Sequence, residues 1–342
     1  MARTLREKTS ESSPQATIGK ILLLVLVLVC LAAVWLTRMA HNYVYMFLDH
    51  YEGTTAILND MKGLQRSESD LEALLPLQQS FDDWKQTHLR DDVSVVASDE
   101  TILRGGLYDA GSDVTVVLLH PFDGSSESTD YLSAPYYAEK GYNILLPDSR
   151  DHGESGGNHV TYGLLEGGDT ATWVRWLVQR YGPEHRVILH GCDLGANAAL
   201  AGAALLQQDP VLKNTVCFAV AENPIANLYD TASSLLKNQF GIPGIVVRTA
   251  DRYAGKSLGG RSMKDVSLAD MTEASTVPAL VICEADDTVI EPAPAERFCD
   301  GYAGACTLLE LPGRHGTGYA LDPEGYEAAL DTMIAAYASR QP

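Results

Sequence analysis

Short β-branched runs alternate with longer helical patterns from Val93 to the end of the chain, and no other feature constrains the fold as tightly. Runs that are apolar throughout suit strands buried on both faces of a mostly parallel sheet, whose parallel neighbours need crossover connections. After a hairpin (Val93–Val96 and Thr101–Tyr108) the runs are Val114–Leu119, Tyr142–Leu146, Arg186–Leu189, Thr215–Val220, Ala279–Cys283 and Thr307–Leu311, eight strands in all. Helices are expected over Tyr131–Lys140, Glu166–Arg180, Leu194–Gln207, Pro292–Tyr302 and Pro323–Tyr337, the last with Asp322 as N-cap and proline in its first turn. The expected class is α/β, a mostly parallel eight-stranded sheet with helices on both faces. Asn223–Val277 is the one long interruption, and it is expected to form a lid over a site, because structureless loops of that length are uncommon in compact domains.

Ahead of this body, Ile21–Thr37 reads ILLLVLVLVCLAAVWLT without a charge, and Ala16–Gly19 extends the uncharged stretch past Lys20. A bilayer core needs about 20 helical residues, and a lysine at the edge can reach the head groups. No face of the segment is polar, which argues against a buried core helix. Trp35, Leu36, Thr37 and Arg38 follow the apolar run where a cleaved signal peptide would show a small-x-small site, and Val29 before Cys30 does not fit a lipidation box. An uncleaved anchor is expected. Arg3, Arg6, Lys8 and Lys20 precede it, so the positive-inside rule puts the N-terminus in the cytoplasm and everything after Arg38 outside. The expected organisation is a cytoplasmic segment 1–20, an anchor 21–37, a helical linker 38–90 with scattered apolar residues (Tyr43, Met46, Leu48, Ile57, Leu64, Leu71, Leu74), and a body 91–342 with its lid at about 223–277.

Charge narrows the partners. With 45 acidic against 25 basic residues, the net charge of −20 gives a field that repels phosphate backbones and anionic lipid head groups, so nucleic acid is excluded as a partner. The apolar segment lacks a GxxxG pattern and leaves the oligomeric state open. Cys192, Cys217 and Cys283 lie in or beside apolar runs and are expected as small buried residues. Cys299 and Cys306 flank a glycine-containing turn in a compartment where disulfides persist, and are expected to pair. No CxxC, HExxH, GxGxxG or Walker spacing occurs, so neither a metal nor a cofactor is expected.

Three unusual loops follow strands: His120-Pro121-Phe122, PDSRDHGESGG (Pro147–Gly157) and HGCDLGANAAL (His190–Leu200). Ligands collect at the carboxyl ends of strands in open α/β sheets, so these loops point to one site. Their order resembles the α/β-hydrolase superfamily, in particular bacterial membrane-anchored extracellular members: HG-aromatic, PDxRGHGxSxG, GxSxG, an acid after the next-to-last strand, and a late histidine. The resemblance covers Val93 to Tyr337 and implies a nucleophile-His-acid triad acting on a small-molecule substrate.

Gly191 and Gly195 flank position 193 as the nucleophile elbow requires, and that position is Asp. Cys192 has His190 and Leu194 at the corresponding offsets, so the geometry favours Asp193. Dehalogenase and epoxide hydrolase branches of the fold attack with such a carboxylate and form an ester to the enzyme. Carboxylates are ionised at neutral pH without a base; they suit sp3 electrophiles, and suit acyl esters poorly because a mixed anhydride would result. His315 in PGRHGTGYA matches the water-activating histidine, and Asp287 in CEADDTVIEP the acid that orients it, with Asp286 beside it and Glu222 as alternatives. The implied oxyanion hole uses the backbone N–H of Phe122 and Leu194. Pro121 and Asp151 stand where the family has glycine. Arg150, His152 and Ser155 are expected to support the loop, and Tyr162 and Glu166 to order the following helix. Leu194 occupies the place of a halide-binding Trp, which disfavours dehalogenation, while Tyr229 and Tyr253 of the lid are candidate O–H donors to an epoxide. Two other readings stay open: a catalytically silent binding protein, and a serine-type esterase or peptidase whose nucleophile lies elsewhere.

Overall fold

In the computed structural model the described residues are 14–48, 66–122, 124–126 and 132–339. Arg3, Arg6, Lys8, Ile57, Leu64 and Tyr131 lie outside them. Eight strands form one sheet: β1 (Asp91–Val96), β2 (Ile102–Tyr108), β3 (Val114–Leu119), β4 (Asn143–Pro147), β5 (Arg186–Cys192), β6 (Val216–Glu222), β7 (Ala279–Glu284) and β8 (Cys306–Leu311). Their order is β1-β2-β4-β3-β5-β6-β7-β8. β2 runs antiparallel to β1 and β4, and every other pairing is parallel. The order turns back at β3, whose neighbours β4 and β5 lead to opposite halves of the sheet. Such a reversal opens a crevice at the carboxyl ends of the two central strands. The β3–β5 register sets Leu119 opposite Gly191, so the loops that begin at His120 and Cys192 leave the sheet side by side.

The helices are α1 (Pro14–Leu48), α2 (Glu68–Thr87), α3 (Ala134–Glu139), α4 (Glu166–Tyr181), α5 (Leu194–Gln208), α6 (Leu228–Phe240), α7 (Gly244–Ala254), α8 (Leu268–Met271), α9 (Pro292–Gly301), α10 (Gly318–Leu321) and α11 (Pro323–Met333). Asp322 caps α11 by accepting the Gly325 N–H at 3.0 Å. The period-2 alternation of β3 splits the core. Val117 and Leu119 face Trp173, Leu177, Leu200 and Leu206, whereas Val116 and Leu118 face Tyr137, Phe218 and Tyr326. Both faces are apolar because helices cover both.

Of the expected helical linker 38–90, 49–65 lie outside the described residues and the described parts are mostly helical. α1 runs unbroken past Thr37 to Leu48, and α2 buries Leu74, Phe81 and Trp84, the last two in the cluster on the second face of the sheet. Within α1, Thr17–Asn42 is long and apolar enough to cross a membrane, with a mean hydropathy of 2.8 over its most apolar stretch, none of which is buried. Beyond it Ala40 and Leu48 are buried, and Leu36 and Met39 half-buried, in a third apolar cluster shared with α6 and α7. The insertion Asn223–Val277 therefore carries helices, as a lid should. Its cluster also holds Phe122, Tyr162 and Leu194, which places the lid over the ends of β3 and β5. Cys299 and Cys306 are joined by a disulfide with Cα atoms 5.5 Å apart. Cys283 is buried, but Cys192 and Cys217 are only half-buried.

Candidate active site

Position 193 is the tip of a strand-to-helix turn. Asp193 sits at φ 54° and ψ −112°, outside the regions a side chain normally occupies, between the last residue of β5 and the first of α5. The turn closes so tightly that a Cβ on Gly191 would lie 2.0 Å from the Gly195 carbonyl oxygen, and one on Gly195 2.1 Å from that of Leu119. Both contacts are to backbone, so neither can be relieved by a side-chain rotation. The Asp193 N–H is held by the Glu222 carbonyl at 2.8 Å. The expected departure from glycine at 151 shows the same signature: Asp151 has φ 62°.

The half-buried Asp193 carboxylate is held by the chain itself. Its Oδ2 accepts the Phe122 N–H at 3.4 Å, and the Leu194 N–H adds a smaller contribution that favours the charged form. Burial pushes its pKa up to about 6, against the His315 cation and the Phe122 N–H, which favour the charged form. His315 follows β8 on a loop fastened by the Arg314 N–H to Thr317 Oγ1. Its Nδ1 lies 2.7 Å from Asp287 Oδ2, and the other oxygen of that buried carboxylate accepts the N–H groups of Val289 and Ile290 at 2.7 and 3.0 Å. Burial disfavours the His315 cation, but the Asp287 carboxylate beside it, with Glu284 and Asp193 nearby, outweighs burial and raises its pKa to about 9.

The two alternative acids are engaged elsewhere. Asp286 is exposed and gives its N–H to the Gly313 carbonyl at 3.0 Å. Glu222 Oε1 accepts the Tyr326 hydroxyl at 2.6 Å and lies 2.6 Å from His190 Nε2, while the Tyr137 hydroxyl is 3.0 Å from His190 Nδ1. The structure thus brings Asp193, His315, Asp287, Phe122 and Leu194 together, and sets Asp286 and Glu222 apart.

The DSRDHGES loop forms a support. Arg150 grips Asp169 with two hydrogen bonds of 2.7 Å and reaches Asp99 at 2.9 Å. The two ring nitrogens of His152 lie against the carbonyls of Arg150 and Phe122, one donating at a time in the neutral ring, and so pack the loop that presents the Phe122 N–H. Ser155 ties the Asp148 carbonyl to the Arg104 N–H. Glu166 accepts from the N–H groups of Thr161 and Gly163 at the start of α4.

Four residues behave in ways that sequence reasoning did not give. Tyr162, expected only to order a helix, stacks on Phe122 with ring centroids 6.0 Å apart and planes nearly parallel. Burial, then the neighbouring Asp193 charge, holds its hydroxyl well above its ordinary pKa, so it remains an O–H donor. Tyr253, expected as a lid donor, is exposed on the outside against His41. Tyr229 is half-buried under the Lys264 ammonium. Glu284, 2% exposed near His315, is a buried acid whose pKa burial raises to about 7. Among the described residues its Oε2 and the Oδ1 of neighbouring Asn223 are buried without a hydrogen-bond partner. No motif drew attention to it.

A family pattern described as alpha/beta hydrolase fold matches residues 114–239, from β3 through the elbow to α6. The chain has the α/β-hydrolase fold. Among solved structures, an esterase of Pyrococcus furiosus is 24% identical, with a TM-score of 0.61 over 75% of this chain and 94% of that one. The α/β-hydrolase GrgF from Penicillium sp. sh18 is 19% identical, with a TM-score of 0.55 over 73% of this chain and all of that one. An uncharacterised protein of Bacillus subtilis (strain 168), YqkD, is 25% identical over 199 residues, which are 58% of this chain and 64% of that protein. The match to YqkD therefore spans less than two thirds of that relative.

Proposed function

We propose that this chain is a membrane-anchored, extracytoplasmic hydrolase that attacks a small organic electrophile with the Asp193 carboxylate. The observation that carries this reading is the position of that carboxylate: one oxygen faces the Phe122 N–H, where an oxyanion hole lies in this fold. For a serine enzyme those donors await the substrate's carbonyl oxygen. Here they hold the nucleophile's own oxygen, which is where negative charge develops if a covalent ester at Asp193 is hydrolysed.

The chemistry follows in two steps. An oxygen of ionised Asp193 attacks an sp3 carbon, and the leaving atom departs with the bonding electrons. The product is an alkyl ester in which Asp193 no longer carries charge. One of the charges that raise the His315 pKa is thereby removed, so the imidazole more readily gives up its proton, to the alkoxide left by ring opening of an epoxide or to solvent, and becomes free to take one from water. The hydroxide equivalent adds to the Asp193 carbonyl carbon, the Phe122 and Leu194 N–H groups stabilise the oxyanion, and collapse releases an alcohol and restores the carboxylate. Leu194 follows the nucleophile where a halide-binding Trp would stand, so a strained ring such as an epoxide is the favoured electrophile; the Tyr162 hydroxyl near Asp193, which burial keeps protonated, would serve its oxygen as a hydrogen-bond donor.

Turnover of an epoxide panel in oxygen-18 water, followed by peptide mass spectrometry, tests this directly. Label is expected in Asp193, and is expected to stop accumulating in His315→Ala, where the alkyl ester is trapped. Turnover without label in Asp193 would eliminate the carboxylate nucleophile, and no turnover or label with any electrophile would favour a silent binding protein.

A further inference from the structure

One stretch of the lid reverses the charge of the chain, although Asp230, Asp265, Asp270 and Glu273 flank it and leave the lid as a whole nearly balanced. Between Lys237 and Lys264 stand six basic residues, Lys237, Arg248, Arg252, Lys256, Arg261 and Lys264, against a single acid, Asp251, in a chain of net charge −20. All six are exposed, and among the described residues none forms an ion pair. The Asp251 carboxylate is half-buried and accepts the Met263 N–H at 2.6 Å. On α7, Val246, Val247, Ala250 and Ala254 are buried, and the opposite stripe carries Ile245, Arg248 and Arg252 at i, i+3 and i+7. Ile245 is 49% exposed, and Phe240 at the end of α6 and Tyr253 two turns further along α7 are 37% and 42% exposed. Apolar and cationic side chains on one helix face are the composition of a helix that lies in a membrane interface.

Position agrees with composition. The same α1 that carries the apolar stretch packs on α7 through Ala40, and His41 meets the Tyr253 ring at 6.4 Å. At 1.5 Å of rise per residue, Ala40 lies only about 5 Å beyond Thr37 along the helix. Head groups occupy roughly 5–8 Å on each side of the hydrocarbon.

We infer that, with α1 seated in a bilayer as proposed above, the cationic lid face of α7 and its flanking turns docks on the anionic phospholipid head groups of that same membrane. On this reading the local charge of the lid works against the repulsion of anionic head groups expected of the whole chain. Each cation at an anionic surface favours association about fivefold, so three charge reversals oppose docking by more than about a hundredfold.

The test is hydrogen–deuterium exchange of the full chain reconstituted in phosphatidylcholine vesicles, with and without about a third phosphatidylglycerol. Exchange in 237–264 is expected to slow about tenfold in the anionic vesicles only, to recover in 1 M salt, and to recover in R248E/R252E/K256E. A milder variant, R248Q/R252Q/K256Q, is expected to lie between, and equal melting temperatures establish that both are folded. Equal exchange in the two lipids overturns the proposal, as does slowing that persists in the charge-reversed chain. Slowing that follows protein density instead would assign the face to a second copy and also overturn it. Protection of 21–37 separates the two readings: if that segment is protected and the lid does not respond, docking alone fails. If 21–37 exchanges freely, the anchoring fails and the docking with it.

Discussion

Replacing Asp193 by Asn should make the protein more stable and inactive, and the stability gain should depend on pH. The carboxylate has its folded pKa pushed up to about 6 from 3.8, a rise of roughly two units or about 3 kcal/mol of preference for the neutral form. For an acid with a raised folded pKa, the ionised form is penalised in the folded state. The penalty is absent below the unfolded value, grows between about pH 4 and 6, and is complete above 6. Asn keeps the shape, tolerates the positive φ of 54° and cannot ionise. The Asp193→Asn variant is therefore expected to match the parent at pH 4 and to exceed it by up to about 3 kcal/mol at pH 8, about 6 °C or more in melting temperature. The gain is an upper figure, because the substitution also withdraws one of the charges that support the His315 cation. Thermal unfolding of the full chain in detergent micelles at half-unit pH steps measures it. A difference between the two proteins that does not change from pH 4 to 8 would refute the reasoning, whatever the effect on turnover.

Other perturbations act on the same cluster. Asp287→Asn should lower the His315 pKa below about 9, read by NMR titration of the imidazole, and cut turnover by about 10³- to 10⁴-fold, since the ring loses the group that orients it. Glu284→Gln should leave stability unchanged near pH 5 and raise it by about 3 kcal/mol at pH 9, because the folded pKa of about 7 stands above the usual 4.5 and the penalty appears as pH rises through that interval. Denaturation across that range is the check, and a loss of stability at pH 9 would show that the ionised form is wanted. Gly195→Ala should abolish folding or cost more than about 4 kcal/mol, since the added carbon would stand 2.1 Å from a backbone oxygen; a soluble, normally melting variant would contradict the elbow geometry.

Much of this architecture is legible in the amino-acid sequence because burial on both faces writes a local signal. β3 and β7 are apolar at nearly every position, and their limits differ from expectation by a residue at most. The elbow is legible for a different reason: Gly191 and Gly195 are demanded by backbone contacts only four residues apart. Asp287 and His315 are assignable because each follows a recognisable strand. What is hidden depends on the third dimension. Arg38–Leu48 looks like a polar linker because its buried residues, Ala40 and Leu48, answer to α7, some 200 positions downstream. Tyr162 reaches the Asp193 environment through a loop whose φ of 52° no propensity foretells, and Tyr253 faces outward because of how the lid is turned. Glu284 is an ordinary strand residue until the sheet stacks His315 and Asp287 around it.

The unbroken α1 makes the apolar stretch and the seat of α7 one stiff lever. It is 35 residues long, roughly 50 Å at the usual rise, so a tilt of about 10° about its midpoint swings either end by about 4–5 Å. Apolar helices tilt when the hydrocarbon around them is thinner than their own length. A domain on a flexible tether would be blind to that tilt. With α1 seated in a bilayer as proposed above, the lid that packs on it would move with the rod, and the thickness of the surrounding lipid would become a mechanical input to how widely the cleft stands open.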